Sequence, residues 1–455
     1  MRIDFSRLAL KNRAFSDKPM TFVDKLPKEY LSAILDLAAI ETGNRAAREY
    51  WQQNQLQNLL IFAAQRSDFW RARIGSRKIK GIRLSDLAVQ TRKDVVTQVE
   101  NEGSLTKPNE TGQIAKHSTS GSTGTPVQFF LTQRNANYNS IRSITQFFME
   151  GRDLTLNRTR VKSNAVRDTQ GFTVHKTDSW MGPLDGFIRS GTNKHIDYFR
   201  PQLDALCKEL ERDAIGYLVG QPRFLEIVLQ QVEPEFFKRA GTAMLVPTAE
   251  GFDPKMREAF RSVGILARGN YSSEEVGLIG SECETITDHF HVATSNVLVE
   301  VVGKEKLQGA TEPAGRILVT NLHSYATPFI RYDIGDIGTL HERCACGHDG
   351  PVVSNVFGRE KSLLKHADGS VSQFYPRGRD FTAIAPLKEY RVRQTSLTNL
   401  VLEVSGRDAL TPGQIAAFAA LVQLHAGTGF DVDVRPVDEI DWGHSLKRLG
   451  FSCDV

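Results

Sequence analysis

In YLSAILDLAAIETG, which begins at Tyr30, the apolar positions Leu31, Ile34, Leu35, Leu37 and Ala38 fall three and four residues apart, and NLLIFAAQRSDFW continues the pattern. One apolar face every 3.6 residues is the mark of an amphipathic helix, so residues 27–75 are predicted to be helical and residues 1–100 to form a helical cap. From about residue 110 to 340 short β-branched runs alternate with helical ones: VQFFL and a helix near 135–150, YLVG and FLEIVLQQV, AMLV and PKMREAFRSVG, then NVLVEVV and GRILVTNL. Strands alternating with helices predict an α/β fold with mixed sheets, whose strand ends leave loops for a site. Beyond residue 358 the pattern changes again. KSLLKHADGS reads as a turn between two strands, LVLEVSG as a strand, and TPGQIAAFAALVQLHAG as a helix capped by Thr411 and ended by Gly427 or Gly429. These segments predict a small α+β domain at residues 359–455, hinged at about residues 358–361 to a large domain at 1–358.

Composition narrows the class more than the function. A chain of 455 residues, 40% hydrophobic, 24% charged and 9% aromatic, is folded and long enough for two or three domains. The net charge of +4 is spread along the chain, without the concentrated basic face of a nucleic-acid binder. No uncharged apolar run reaches the ~18 residues of a spanning helix, and MRIDFSRLALKNRAFSDK lacks the apolar stretch of a signal peptide. A cytoplasmic location with no membrane partner is the expectation. The five cysteines, Cys207, Cys283, Cys344, Cys346 and Cys453, are too few and of the wrong parity for a disulfide framework and are expected to be reduced.

STSGSTGTP, residues 118–126, contains no large side chain. Such a loop lets backbone N–H groups and hydroxyls converge on an oligophosphate; a solvated Ser/Gly loop is the structural alternative. It lacks the Lys-Ser/Thr ending of a P-loop, so the P-loop nucleotide hydrolases are excluded. Four further stretches accompany it: YSSEE at 271, PFIRYDIGDIG at 328, GREKSLL at 358 and SLKRLGFS around Lys447.

In that order and approximate spacing, the five stretches resemble the motifs of the adenylate-forming enzymes, the superfamily of acyl-CoA synthetases, peptide-synthetase adenylation domains and luciferases. Within it the chain resembles the phenylacetate-coenzyme A ligase and capsule-biosynthesis branch, and SDFWRARIG and SQFYP extend that likeness outside the motifs. The resemblance implies that Ser120, Gly121, Ser122, Thr123, Gly124 and Thr125 hold the β- and γ-phosphates of ATP, with Thr123 also catalytic. It implies that Glu275 ligates Mg²⁺, a hard carboxylate for a hard cation, and that Tyr271 lies against the adenine. Asp336 would accept from both ribose hydroxyls, Arg359 would clamp the ribose or phosphate, and Lys361 would stand at the hinge about which the small domain turns. Lys447 would bring a mobile positive charge to the reacting carboxylate and α-phosphate. The chain departs from the pattern at Leu446, where the family has glycine before the lysine, and at Ser272, where it has glycine after the tyrosine; Lys388 and Arg448 are alternative cations.

A second cluster lies between RYDIGDIG and the hinge. Cys344 and Cys346 form a CxCG pair, and Cys283 is followed by His289 and His291, two apart along an apparent strand and so on one face. Three thiols and one histidine make a Cys3His set suited to structural Zn²⁺; free thiols are the alternative. His291 is placed ahead of His289 because it falls nearer the histidine of the resembling branch, some members of which have a similar arrangement.

The reading is an ATP-dependent ligase that converts a small-molecule carboxylic acid to an acyl-adenylate and passes the acyl group to a thiol, coenzyme A in the resembling branch. A carrier protein or an amine is the alternative acceptor, and the subunit a monomer or homodimer. Residues 160–250, with Trp180, Phe187, Phe224, Phe236, Phe237 and Phe252, are expected to supply an acyl pocket leaning to an aryl or arylacetic acid, although the same aromatics would equally furnish a core. Arg167, Lys176 and Lys194 leave room for a more polar acid. Two other classes stand beside this reading: an inactive nucleotide-binding relative, permitted by Leu446, and a zinc-stabilised nucleic-acid binder, permitted by the CxC pair.

Overall fold

The structure, a computed structural model, describes residues 25–119, 127–163, 171–185, 188–199, 202–305, 312–359, 363–374, 378–406, 408–442 and 450–455. The expected N-terminal helices are Lys25–Thr42, Arg45–Arg66 and Asp68–Ile74, the second capped by Asn44 and the third by Ser67. Their apolar faces, with Leu56, Leu59, Leu60 and Trp70 fully buried, close over the strand ends at Leu322 and Ile330. Among the described residues no helix is long and apolar enough to cross a membrane.

Two large sheets follow. One has six strands in the order Gly171–Thr177, Asn193–Phe199, Arg158–Ser163, Gly216–Gly220, Thr242–Pro247 and Leu266–Ala267; all pairs are parallel except the antiparallel first edge. Helices such as Pro222–Val228 and Pro254–Ser262 connect these strands, as the alternating pattern predicts, and cover one face. The other sheet has seven strands, in the order Val297–Glu305, Ala314–Asn321, Tyr332–His341, Val352–Arg359, Phe290–Val292, Gly277–Glu282 and Asn270–Ser273. Every pairing in it is antiparallel. The α/β alternation therefore stops at the helix Pro254–Ser262: the later strands are joined by turns, which a helix-strand count along the sequence did not anticipate.

Near the C-terminus a hairpin, Leu363–Lys365 with Val371–Gln373, turns at Gly369 with φ +83°, as KSLLKHADGS predicts. A four-stranded sheet, ordered Asp431–Pro436, Asn399–Gly406, Leu387–Gln394, Phe451–Cys453, receives the helix Pro412–Ala426. Thr411 caps that helix by accepting from the Gln414 N–H, and Gly427, at φ +98°, ends it. The cluster of Leu364, Phe381, Val392, Leu402, Phe418 and Phe451 draws only on residues after 363.

One buried polar network ties the helical cap to the seven-stranded sheet. The Glu41 carboxylate accepts from the N–H and hydroxyl of both Thr294 and Ser295, at 2.6–3.2 Å. The Ser295 carbonyl accepts from Tyr138 Oη at 2.6 Å and lies 2.8 Å from His323 Nε2, while the Tyr138 and His323 rings lie tilted against each other with centroids 3.9 Å apart. Burial, with Arg142 adding to it against the Ser295 hydrogen bond, lowers His323 to about 4. Because the folded value lies below the unfolded one of about 6.5, the unfolded chain binds the extra proton between them, and stability falls as pH drops through that window. Denaturant midpoints taken from pH 7 to pH 4 are expected to record a loss of about 3 kcal/mol that is absent in His323→Gln. An unchanged slope in the variant would exclude His323 as its source.

Candidate active site

Residues 118–126 join two strands of a hairpin, Ile114–Ser118 and Gln128–Thr132. The neck is closed at both ends: Thr119 N–H donates to the Val127 carbonyl at 3.0 Å, and Val127 N–H to Thr119 Oγ1 at 3.0 Å. Arg92 Nη2 donates to the same hydroxyl at 3.0 Å from the helix Arg92–Glu102. The tip itself, with Ser120, Gly121, Ser122, Thr123, Gly124 and Thr125, lies outside the described residues, as do Lys361, Lys447 and Arg448. Lys388 is described and exposed on the strand Leu387–Gln394.

YSSEE and RYDIGD meet within the seven-stranded sheet. Tyr271, on the edge strand Asn270–Ser273, donates its hydroxyl to Asp336 Oδ2 at 2.8 Å. Its ring is buried beside Phe290, with centroids 5.8 Å apart. The resemblance implied that Tyr271 lies against the adenine; its hydroxyl also bonds to the carboxylate expected to hold the ribose. Glu275 occupies the turn after that strand, is 8% exposed, and accepts from Tyr332 Oη at 3.4 Å. Tyr332 therefore touches the expected Mg²⁺ ligand, a contact that the sequence motif alone did not assign. Asp336 stands directly opposite Arg359 in the antiparallel ladder, and Ile337 opposite Gly358. Gly335 and Gly358, at φ +84° and +75°, adopt left-handed backbone that other residues rarely take, which shapes this end of the ladder.

Cys283, His291, Cys344 and Cys346 form a compact set whose ligand atoms all lie within 4.8 Å of one another. Cys344 Sγ is 3.9 Å from Cys283 Sγ, and Cys346 Sγ is 3.4 Å from His291 Nε2. Tetrahedral Zn²⁺ with usual bond lengths separates two sulfurs by about 3.8 Å and sulfur from nitrogen by about 3.6 Å, so the four side chains fit the ion. His289 is outside this set; its Nδ1 is 3.9 Å from Cys344 Sγ and its ring stacks on His341. His348, which the sequence reading did not single out although it ends CACGH, stacks on His291 at 4.1 Å. Burial lowers His291 to about 3, leaving a neutral imidazole, and pushes the Cys344 thiol up to about 12. Burial also pushes up the Cys283 thiol, but hydrogen bonds from Thr285 and Ile286 outweigh it and bring the value below the ordinary one. A cation bound here must displace protons from sulfur, so its affinity rises with pH.

No protein-family profile matches the chain, and no curated protein matches its sequence. Among solved structures it is similar to a 2-hydroxyisobutyryl-CoA ligase in the postadenylation state with 2-HIB-AMP, at TM-score 0.63 and 17% identity over 91% of each chain. It is also similar to that ligase with 2-HIB-AMP and CoA in the thioesterification state, at TM-score 0.54 and 18% identity over 91% of each chain. The chain has the adenylate-forming ligase fold.

Within this ligase fold five of the six aromatics expected to line an acyl pocket are buried in hydrophobic clusters. Phe224, Phe236, Phe237 and Phe252 are buried between the six-stranded sheet and its helices, with Phe237 packed edge-on against both Phe236 and Phe260. Trp180 is buried in a second cluster, its indole N–H donating to the Leu156 carbonyl at 3.0 Å. Phe187 and Arg167 lie outside the described residues. Lys194 is 3% exposed and bridges Glu209 and Asp213, and Lys176 pairs with Asp213 as well. Both lysines have carboxylate partners within the protein.

Proposed function

We propose that the chain is an AMP-forming acid–thiol ligase whose ATP site lies at the Tyr271–Asp336–Glu275 end of the seven-stranded sheet. The observation that carries this reading is the convergence of two motifs 65 residues apart: the Tyr271 hydroxyl on Asp336, with Glu275 in the adjoining turn. In the first half-reaction the acid's carboxylate oxygen attacks the α-phosphorus of ATP, the bond to the bridging oxygen breaks, and pyrophosphate leaves. In the second a thiol, that of coenzyme A in this reading, attacks the acyl carbon, the bond from that carbon to the oxygen bridging it to phosphorus breaks, AMP leaves with the bridging oxygen, and the thiol proton passes to solvent or base.

Each residue has a distinct task. Asp336, oriented by Tyr271, accepts from the two ribose hydroxyls and fixes the nucleoside. Residues 120–125, on a loop whose neck is closed at Thr119 and Val127, hold the phosphates, and Thr123 donates to the leaving pyrophosphate. Arg359 binds near the ribose or phosphate, and Lys361 marks the hinge between a nucleotide-binding domain at 1–358 and a mobile domain at 359–455. Lys447 supplies positive charge at the α-phosphate as negative charge develops there. Mg²⁺, held by Glu275, would neutralise phosphate charge. Cys283, His291, Cys344 and Cys346 would hold a structural Zn²⁺ with no open position.

Phe224, Phe236, Phe237, Phe252 and Trp180 are buried in the core, so they do not by themselves favour an aryl or arylacetic acid, and a solved ligase of this fold carries a hydroxy-acyl adenylate. The test is acid-dependent exchange of labelled pyrophosphate into ATP across arylacetic, fatty and small 2-hydroxy acids. Asp336→Ala is expected to raise the KM for ATP by about ten- to a hundred-fold, the loss of charge-assisted hydrogen bonds, with the KM for acid unchanged. An equal rise in both, or none, would remove Asp336 from the ribose site.

A further inference from the structure

The turn that carries Glu275 is held by two buried side-chain amides that none of the motifs includes. The carbonyl of Val276, the next residue, accepts from Asn321 Nδ2 at 2.8 Å and from Asn296 Nδ2 at 3.2 Å. Asn296 Nδ2 also donates to the Leu278 carbonyl at 2.6 Å. A carbonyl oxygen has two lone pairs, so the two amides saturate the one that follows Glu275. On its other side Val276 N–H donates to Ser273 Oγ at 3.2 Å, and Gly277 continues the chain at φ +72°. The turn is thereby fixed before, at and after the peptide next to the carboxylate.

Both asparagines are rigidly based. Asn321 ends the strand Ala314–Asn321 and pairs in register with Val297, the residue after Asn296. Its backbone N–H donates to Phe329, and its Oδ1 accepts from His323 N–H at 2.7 Å. Asn296 is 1% exposed and its Oδ1 has no hydrogen-bond partner among the described residues. Reversing that amide would aim oxygen at two carbonyl oxygens, so its orientation is dictated by the donors.

We infer that Asn321 and Asn296 are positioning residues for the metal–nucleotide complex, setting where Glu275 presents its carboxylate. The inference rests on the reading of Glu275 as the Mg²⁺ ligand of an ATP site. A shift of the turn would leave the carboxylate chemically intact but misplaced for a cation that demands near-ideal geometry, so the defect appears in the Mg²⁺ requirement rather than in affinity for the acid.

The experiment is calorimetric titration of ATP into the full chain at a series of free Mg²⁺ concentrations, alongside thermal melting. Asn321→Asp keeps the acceptor for His323 and removes the donor to Val276; Asn321→Ala removes the donor without adding charge. Each is expected to raise the Mg²⁺ concentration for half-maximal ATP binding by about tenfold, the equivalent of one hydrogen bond's effect on geometry. Gln52→Leu is the control: Gln52 Nε2 donates to the Thr294 and Val297 carbonyls and does not bond to Val276. It is expected to lower the melting temperature without moving the Mg²⁺ requirement. Glu275→Gln separates the two levels of the claim. If Glu275→Gln leaves the Mg²⁺ requirement unchanged, the ATP-site reading fails. If Glu275→Gln raises it and the Asn321 variants do not, or if both Asn321 variants only unfold, the positioning role is overturned.

Discussion

Lys447→Ala is expected to lower acid-dependent pyrophosphate exchange by about 10²–10³-fold, the usual cost of removing one preorganised charge or donor from a developing oxyanion. The same variant, given acyl-adenylate already made, is expected to transfer its acyl group to coenzyme A at close to the unaltered rate. A cation needed only while the α-phosphorus gains charge has no part in the attack of sulfur on the acyl carbon. Parallel variants divide the outcomes: if Lys388→Ala or Arg448→Ala reproduces the loss and Lys447→Ala does not, the cation has been misassigned to the residue after Leu446. If exchange is absent from the unaltered chain with every acid although ATP binds, the inactive-relative reading gains over the ligase.

Cys344→Ser is expected to remove one equivalent of zinc and to destabilise the fold by about 4–5 kcal/mol, the range reached when a structural metal is lost. The Cys344 and Cys283 sulfurs lie 3.9 Å apart, close to the spacing of two thiolates on one tetrahedral zinc ion. Metal analysis of the purified protein and melting with and without a chelator measure both quantities. His289→Ala, outside the set of four, is expected to keep the zinc, and His291→Ala to lose it. Protein that contains no zinc and melts identically in chelator would return these residues to ordinary reduced thiols.

The sequence by itself carried the local structure where one pattern had one solution. The three-and-four spacing between Tyr30 and Trp70 gave helices because no other backbone puts those residues on one face. Thr411 marked the start of the last long helix and Gly427 or Gly429 its end, because capping and left-handed backbone are properties of single residues, and the structure ends it at Gly427. The order of five motifs pointed to the adenylate-forming fold, and it did so where overall identity to the solved ligases is only 16–18%. CxCG with Cys283 and one of His289 and His291 was legible as a cluster, and the fold brings Cys283, His291, Cys344 and Cys346 within 4.8 Å of one another.

Tertiary structure decided what depends on partners distant in the chain. Phe224, Phe236 and Phe237 could line a pocket or fill a core with the same composition; helices packed on the six-stranded sheet made them core. Lys176 and Lys194 looked available until Asp213 and Glu209 met them in space. The Tyr271–Asp336 contact, the hold of Tyr332 on Glu275 and the two amides on Val276 join residues between 20 and 65 positions apart. Residue type states what a side chain can donate or accept, and that is written in the sequence. Which donor meets which acceptor is set by strand order and register, because neighbours across a sheet are fixed by the ladder and not by their distance along the chain.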